Sequence, residues 1–287
     1  MSWFNDRLRS DSGLLVLPGA YDALSARLLA RAKTEAVYCG GFAATAAQYA
    51  LPDLGMLSLS EMVDLYRRMK LACREKPLVV DGDAGHGGLL NIERTVASFA
   101  HAGVSAFHLE DQVMPKRCGH LDGKDVVPRA EAIGRIRTAV QCCRGRDIAV
   151  IARTDAIAVH GFEEAIARAN AFIEAGAAAA FIDAPTDIQQ IEAIPALVNG
   201  PVIFNAADTG IVAPPDEGAL SRLGYAAVLH PIATLLDAVA AVTARYPDTE
   251  TAPEDAPSIS FTRLNDILET KTFLQREKRW SEKIAES

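Results

Sequence analysis

The amino-acid sequence predicts an α/β fold of the (β/α)8 barrel class. Eight short, nearly continuous apolar runs recur along the 287 residues, and none alternates apolar with polar residues as a half-exposed strand does. Strands covered on both faces of a parallel sheet have this pattern. A segment with helical spacing follows each run. Eight such units exceed the number usual in an open doubly wound sheet, and a chain of this length fits one barrel.

The apolar runs and the periodic segments give the boundaries of the predicted elements. The eight strands are predicted at residues 14–17, 36–39, 77–81, 105–110, 148–153, 179–183, 201–205 and 226–230. Helices are predicted at 20–32, 60–74, 91–102, 129–143, 161–175, 187–198 and 233–245.

The C-terminal part departs from this alternation. Residues 247–260 contain three prolines and four acidic residues, which indicates a linker. Residues 261–283 follow with an apolar stripe that includes Phe261, Leu264 and Leu268, which predicts one further helix. This helix needs a surface to pack on, either the barrel's rim or a neighbouring subunit. We therefore expect a single barrel domain over 1–287 with this linker and an oligomerisation helix.

Composition and charge exclude several classes of protein. Lys and Arg number 29 against 37 Asp and Glu, and the net charge of −8 makes a nucleic-acid partner unexpected. The N-terminus lacks the order of a signal peptide, and the most apolar long stretch, 226–244, contains His230, Pro231 and Asp237. We expect a cytoplasmic protein without a membrane partner. The five cysteines lack metal or disulfide spacing, which predicts reduced thiols.

Acidic residues follow several of the predicted strands. Active sites of this fold lie at the carboxyl ends of the strands, where Asp81, Asp83, Glu110 and Asp183 fall. Asp81 and Asp83 are two residues apart, so their side chains should point to the same side of the sheet. Converging carboxylates need a cation, and Mg²⁺ suits such a site. A single Asp-x-Asp pair also fits turn or helix caps, but acidic residues on several strands favour the metal site.

The connection after the fourth strand runs from Asp111 to about Pro128 and contains the sequence KRCGH at 116–120. It is far longer than most βα connections, and long barrel loops often act as lids. Lys116, Arg117 and His120 flank Cys118, whose pKa they should lower, so the thiol is a candidate proton donor or acceptor. The candidate catalytic residues are Lys116, Cys118, His120 and Arg153. A solvated basic loop with an idle thiol is the alternative. Arg153 suits either a salt bridge at the barrel's end or a substrate carboxylate.

The motifs of the chain, taken together, resemble those of the isocitrate lyase and phosphoenolpyruvate mutase superfamily, above all its methylisocitrate lyase and dimethylmalate lyase branch. The resemblance covers about residues 14–244. It rests on PGAYDALSARL, CGG with LPDLG, DGDAGHGG, HLEDQVMPKRCGH and IARTDA, in this order along the chain. The KRCGH run is the most specific, because the mutase branch carries a different loop there.

The resemblance implies a Mg²⁺-dependent barrel, with Mn²⁺ as a substitute, that acts on a small-molecule carboxylate. It also implies a homotetramer in which neighbouring subunits exchange the extra helix. The positions that match the family's metal-site carboxylates are Asp53, Asp81, Asp83 and Glu110.

The resemblance also assigns substrate-site and catalytic positions. The residues that match the family's substrate site are Cys39, Gly40, Gly41, Arg153, Asp183 and Asn205. Among these, Arg153 stands where the family holds an oxyanion. Cys118 stands where the family places the acid that protonates the departing carbanion.

Several positions depart from the family's pattern. Cys39 replaces the usual serine, Asp183 the usual glutamate, and Ala84 and His86 stand where the lyases have Thr and Phe. The run after the seventh strand, 205–210, also differs from that of methylisocitrate lyase. The reaction class therefore transfers better than the substrate.

These observations predict a carbon–carbon lyase that cleaves a substituted 2-hydroxy di- or tricarboxylate into a 2-oxo acid and a carboxylate. The alternatives are an oxaloacetate decarboxylase or hydrolase, a C–P bond enzyme on the same scaffold, and a barrel that binds ligands without catalysis. The KRCGH run disfavours the phosphonate branch alone.

Overall fold

A computed structural model describes residues 2–10, 12–117, 123–207, 212–246 and 260–285, and it confirms the (β/α)8 barrel. The eight strands are β1 (Leu15–Pro18), β2 (Val37–Cys39), β3 (Leu78–Asp81), β4 (Ala106–Glu110), β5 (Ala149–Thr154), β6 (Ala179–Ile182), β7 (Val202–Asn205) and β8 (Ala227–His230). All neighbours pair in parallel, in the order β1-β8-β7-β6-β5-β4-β3-β2. A bridge between Gly19 and Tyr38 joins β1 to β2 and nearly closes the barrel.

The helices lie between the strands and at both ends of the chain. They are α1 (Trp3–Arg9), α2 (Ala23–Arg31), α3 (Gly41–Tyr49), α4 (Leu59–Cys73), α5 (Leu89–His101), α6 (Arg129–Cys143), α7 (Ile157–His160), α8 (Phe162–Glu174), α9 (Ile188–Leu197), α10 (Glu217–Leu223), α11 (Ala233–Arg245), α12 (Phe261–Ile267) and α13 (Thr270–Ala285). The predicted strands and the seven predicted helices agree with these bounds to within about three residues.

Two aspects of the helix prediction were wrong. Helices α1, α3, α7 and α10 were not predicted. In α3 the first six residues are all buried, so this part of the helix has no polar face and its sequence shows no helical periodicity. The predicted single helix at 261–283 is two helices, α12 and α13. Glu269 between them has a φ of 53°, a left-handed conformation that interrupts the helix.

The core consists of two apolar layers, one inside the barrel and one between the strands and the helices. Leu17, Ile151 and Phe181 belong to the inner layer, whereas Val80 and Phe107 belong to the outer one. Most strands therefore bury both faces, and the outer face of β1 is half-buried, which explains the lack of polar alternation. Burying one such side chain contributes about 1.5–3 kcal/mol.

The apolar stripe of α12 is covered within this single chain. Phe261 and Leu264 are buried against a cluster that includes Phe42 and Leu236 at the barrel's rim. The rings of Phe42 and Phe261 lie 5.0 Å apart between centroids. The rim is one of the two packing surfaces that the sequence allows, while residues 247–259 of the linker lie outside the described residues.

Two expectations from composition are tested by the described part of the chain. None of its helices is both long and apolar enough to cross a bilayer. The four cysteines within it, Cys39, Cys73, Cys142 and Cys143, are free thiols, as predicted.

Candidate active site

The carboxyl ends of the strands surround a small cavity of about 50 Å³, which we call the barrel mouth. Its lining residues come from five strands, from loops after these strands and after β8, from α3 and from α12: Tyr38, Gly40, Gly41, Phe42, Asp53, Asp81, Arg153, Phe181, Asp183, Asn205, Ala207, Pro231, Ile232 and Phe261. Three larger depressions lie on the outside of the barrel, and Arg31, Arg144 and Asp147 are among their lining residues. None of them gathers the buried acidic residues found at the mouth.

Asp81 and Asp83 converge at the end of β3. The backbone N–H of Gly41 donates to Oδ2 of Asp81 at 2.9 Å, and that of Asp83 donates to Oδ1 of Asp81 at 2.8 Å. A Cβ atom at Gly41 would lie 2.6 Å from Asp81 Oδ2 and 3.3 Å from Asp83 Oδ1, so only glycine permits this approach. Asp83 itself has a φ of 44°, which turns its side chain back toward the mouth.

Lys116 is the cation that the structure brings to these acids. Its Nζ lies 2.6 Å from Oδ1 of Asp53 and 2.9 Å from Oδ1 of Asp83. The Lys116 side chain is 3% exposed. Burial opposes its charge, but the surrounding carboxylates, led by Asp53 and Asp83, raise the pKa of Lys116 well above its ordinary value. The ammonium group is therefore charged between two carboxylates.

Arg153 of β5 pairs in register with Glu110 of β4 and contacts three carboxylates. Its guanidinium donates to both oxygens of Asp155 at 2.9 Å and to Oδ2 of Asp183 at 2.7 Å. Glu110 Oε2 lies farther away, 3.4 Å from Arg153 Nε. Asp183 also accepts a hydrogen bond from Nδ2 of Asn205 at 3.0 Å. Arg153 thus forms salt bridges at the barrel's end in this structure.

Glu110 is buried without hydrogen bonds. It is 2% exposed, and among the described residues neither of its carboxylate oxygens accepts a hydrogen bond. Burial raises the pKa of Glu110 well above its ordinary value, although Arg153 opposes this shift. A buried carboxylate in this state is costly unless a ligand supplies the missing partner.

Tyr38 lines the mouth and contacts His108, and neither residue was predicted as a site residue. His108 is buried, and its Nδ1 lies 3.3 Å from Oδ1 of Asp81. Its Nε2 lies 2.7 Å from the hydroxyl of Tyr38. Burial lowers the pKa of His108 to about 4, so the ring is neutral. The sequence carried no signal for this contact, because the register that sets His108 beside Asp81 on neighbouring strands is a property of the folded sheet.

The remaining predicted residues take different positions. Gly40 and Gly41 line the mouth, whereas Cys39 packs in the apolar layer between strands and helices, where burial raises the pKa of its thiol. His101 and His160 are exposed and lie away from the mouth lining. Cys118 and His120, both predicted as catalytic, lie outside the described residues.

The charge of the mouth shows what it is able to bind. In the described ranges, the mouth and the charged side chains in contact with its lining hold two buried cations, Lys116 and Arg153, against six buried carboxylates: Asp53, Asp81, Asp83, Glu110, Asp155 and Asp183. Such an excess of buried negative charge fits an added cation, and carboxylate oxygens are the ligands of hard divalent ions. Within the same ranges, no three acidic, His or Cys side chains already surround a common point as metal ligands. Lys116 lies between two of the candidate metal ligands, Asp53 and Asp83.

A barrel with an acidic, partly unsatisfied mouth of this kind is that of an enzyme, and comparison with known proteins gives its family. The family model described as phosphoenolpyruvate phosphomutase matches residues 4–248. The chain is 34% identical over 265 residues to a 2,3-dimethylmalate lyase of Eubacterium barkeri, covering 91% of both chains. It is 38% identical over 225 residues to a 2-methylisocitrate lyase of Shewanella oneidensis, covering 78% of this chain and 77% of that one.

Solved structures agree with these relatives. Oxaloacetate acetylhydrolase, solved in complex with the inhibitor 3,3-difluorooxalacetate, superposes with a TM-score of 0.80 at 31% identity. The alignment covers 96% of this chain and 95% of that one. The chain belongs to the phosphoenolpyruvate mutase/isocitrate lyase superfamily, as the sequence motifs predicted. It is an enzyme of that superfamily, among relatives named as carbon–carbon lyases.

Proposed function

We propose that this enzyme is a Mg²⁺-dependent carbon–carbon lyase. Its substrate would be a substituted 2-hydroxy di- or tricarboxylate, similar to methylisocitrate or dimethylmalate, which is cleaved to a 2-oxo acid and a carboxylate. The names of the relatives at 34–40% identity support this reaction class. The observation that carries the proposal is the unsatisfied, buried carboxylate of Glu110 beside Asp81, Asp83 and Asp53 in one mouth.

These four carboxylates would hold the metal ion, directly or through water. Their oxygens are the donors that Mg²⁺ prefers, and Mn²⁺ accepts the same set. When bound, the ion supplies Lewis acidity, which stabilises negative charge on a substrate oxygen.

The chain's own residues would bind and orient the substrate. Arg153 carries a planar guanidinium that suits the substrate's oxyanion, and its bonds to Asp155 and Asp183 fix its orientation. Because Asn205 donates to Asp183, a change at either residue would move Arg153 as well. We assign Gly40 and Gly41 to the 2-oxo acid part of the substrate, because they line the same cavity.

The cleavage would follow retro-aldol logic. The substrate hydroxyl loses its proton, its oxygen becomes the carbonyl of the 2-oxo acid, and the adjacent carbon–carbon bond breaks to leave a carbanion. Cys118, between the basic residues Arg117 and His120, would donate the proton that converts this carbanion into the carboxylate product.

A second candidate function is hydrolysis or decarboxylation of oxaloacetate. Structures of oxaloacetate acetylhydrolase superpose on this chain with TM-scores of 0.77–0.80 and cover 96% of it. The KRCGH run at 116–120 disfavours the C–P bond branch, although a phosphomutase structure also superposes, with a TM-score of 0.77.

A product assay tests these alternatives directly. The protein is incubated with substituted malates, methylisocitrate, oxaloacetate and phosphonopyruvate, each with Mg²⁺ or with EDTA. We expect a 2-oxo acid and a carboxylate from a substituted 2-hydroxy acid, and only with Mg²⁺. After EDTA treatment, added Mg²⁺ or Mn²⁺ should restore the activity of the wild type but not that of Asp83→Ala. Full turnover in EDTA would contradict the metal site, and turnover of oxaloacetate alone would favour the second candidate.

The role of Cys118 has its own test. Cys118→Ser should lower kcat by about a hundredfold or more, because a serine hydroxyl is too weak an acid at neutral pH. The affinity for oxalate should change little, since we assign the binding of the 2-oxo acid to the metal ion, Arg153 and Gly40–Gly41. Cys73→Ser is the matched control, because Cys73 is buried outside the mouth. An unchanged kcat would remove Cys118 from the mechanism.

We further propose one barrel domain that forms a homotetramer by exchanging α12 and α13 between neighbouring subunits. On α13, Trp280 and Ile284 are one helical turn apart and are 63% and 74% exposed in the single chain. Native mass determination should give four subunits, and deletion from Phe261 onward should disperse or aggregate the assembly. A stable, active monomer after that deletion would contradict the exchange.

A further inference from the structure

We propose that Lys116 is an internal counter-ion that takes the place of the divalent cation between Asp53 and Asp83 and is displaced when the metal binds. The inference deepens the proposed function and rests on its metal site. It assigns to Lys116 a role in metal affinity in addition to any role in catalysis.

The contacts of the Lys116 ammonium group support its role as a counter-ion. Nζ of Lys116 is 2.6 Å from Asp53 and 2.9 Å from Asp83, two carboxylates from separate loops, and it is shielded from solvent. Among the described residues of the mouth, Arg153 is the only other buried cation. Asp53 and Asp83 therefore depend on Lys116 for their charge balance. A lysine ammonium is a compact point charge, which makes it a close substitute for a metal ion.

The backbone around Lys116 shows that its position is built into the fold. Gln112, which is 1% exposed, accepts from the N–H of Arg117 at 2.9 Å and donates to its carbonyl at 3.0 Å. On the other side, a Cβ at Gly55 would lie 3.1 Å from the Lys116 nitrogen, and the φ of Gly55 is +67°. The chain that bears Lys116 is therefore held between the Asp53 loop and the Gln112 amide.

Electrostatics makes the two cations competitors. An ammonium and a divalent ion that contact the same pair of carboxylates lie within about 4 Å of each other, and their like charges repel strongly in a buried site. Without any cation, the buried carboxylates would repel one another and destabilise the fold. Lys116 thus stabilises the metal-free protein and lowers its affinity for the metal.

Mn²⁺ titration followed by electron paramagnetic resonance measures this competition without turnover. We compare the wild type with Lys116→Met and with Lys33→Met, which removes the same charge from an exposed position. We expect Lys116→Met to bind Mn²⁺ at least about tenfold more tightly and Lys33→Met to match the wild type. In EDTA, Lys116→Met should melt at a lower temperature than the wild type, and Mn²⁺ should narrow the difference.

The outcomes separate this inference from the proposed function. If Mn²⁺ binds wild type and Lys116→Met equally well, or binds the variant more weakly, Lys116 is not a competitor, whereas the metal site stands. If no form binds Mn²⁺ at millimolar concentration, both proposals fail. Binding by Lys116→Met alone would support the competition in its strongest form.

A second measurement uses the wild type and does not depend on how a variant folds. Acetylation by the N-hydroxysuccinimide ester of acetate is followed by mass spectrometry, residue by residue, in EDTA and in Mg²⁺. Lys116 should be protected in EDTA and react several-fold faster in Mg²⁺, because displacement frees its amine. Lys33 should react equally in both. An unchanged rate at Lys116 in Mg²⁺ that saturates the site would overturn the displacement.

Discussion

Glu110 and Asp111 are neighbours in sequence and are both 2% exposed, yet they belong to two different regions. Glu110 points into the barrel mouth and accepts no hydrogen bond from the described residues. Asp111 points out of the barrel, where its Oδ2 accepts from Thr154 at 2.7 Å and from Arg168 at 3.0 Å. Its Oδ1 accepts from the backbone N–H of Asp155 at 3.0 Å. We call Asp111, Thr154 and Arg168 the ion cluster.

The difference teaches that burial alone does not distinguish a structural carboxylate from a functional one. In the ion cluster the charge is paired and every carboxylate oxygen has a donor, so the group holds the loop after β4 to β5 and α8. In the mouth, the missing donors leave capacity for a ligand, at a cost in stability. Burial raises the pKa of both carboxyl groups, so the pKa shift does not separate them either.

The sharpest test of the comparison is Asp111→Ala. We expect it to lower the free energy of unfolding by about 3–5 kcal/mol, because it leaves Arg168 buried with one charge partner fewer. Urea unfolding measures the change. Asp237→Ala, an exposed position on α11, serves as the control and should change stability by less than about 0.5 kcal/mol. A loss at Asp111 no larger than the control would show that the ion cluster is not structural.

Glu110→Gln should have the opposite profile. Its turnover with Mg²⁺ should fall by about a hundredfold, since a metal-site interaction contributes a few kcal/mol to the transition state. Its free energy of unfolding should stay the same or rise, because a buried carboxylate that accepts no hydrogen bond from the described residues is replaced by a neutral amide. Glu93→Gln, on the exposed face of α5, is the control for both measurements. Lost stability with unchanged turnover would reverse the assignment of the two regions.

Thr154→Val refines the comparison within the ion cluster. The variant keeps the shape of the side chain but removes the hydroxyl that donates to Asp111 at 2.7 Å. A hydrogen bond to a buried charge contributes about 1.5–3 kcal/mol, and we expect a loss in this range without a change in Mn²⁺ affinity. Thr262→Val on the exposed side of α12 gives the background effect of the substitution. A shift in Mn²⁺ affinity would mean that the two regions are coupled.

Glu277→Gln should have the smallest effect. Arg117 and Glu277 form a salt bridge of 2.6 Å between the loop after β4 and α13, but their side chains are 24% and 41% exposed. An ion pair in contact with water contributes less than about 1 kcal/mol, so the melting temperature should change little at physiological salt. A larger loss that disappears on dilution of the protein would indicate that this pair forms between subunits.

Sequence patterns predicted the strands well because most strands are buried on both faces, so their composition alone marks them. They failed for α3 and α10, since a fully buried or very short helix carries no periodic signal. In the mouth, the spacing of Asp81 and Asp83 predicted their convergence, and the motifs gave the right superfamily. Residue spacing did not distinguish Glu110 from Asp111, and only the family motif singled out Glu110. The donors from β5 and α8 that satisfy Asp111 depend on the tertiary structure.

The sequence by itself determined the barrel, the side on which its acids gather and the family, because these follow from local periodicity, residue spacing and short motifs. Only the tertiary structure decided which charges meet. Lys116 reaches Asp53 across 63 positions of the chain, and His108 reaches Tyr38 across 70. Such contacts depend on how loops and strands far apart in sequence are folded together. At these separations, a shift of about an ångström changes the interaction energy between two charges substantially.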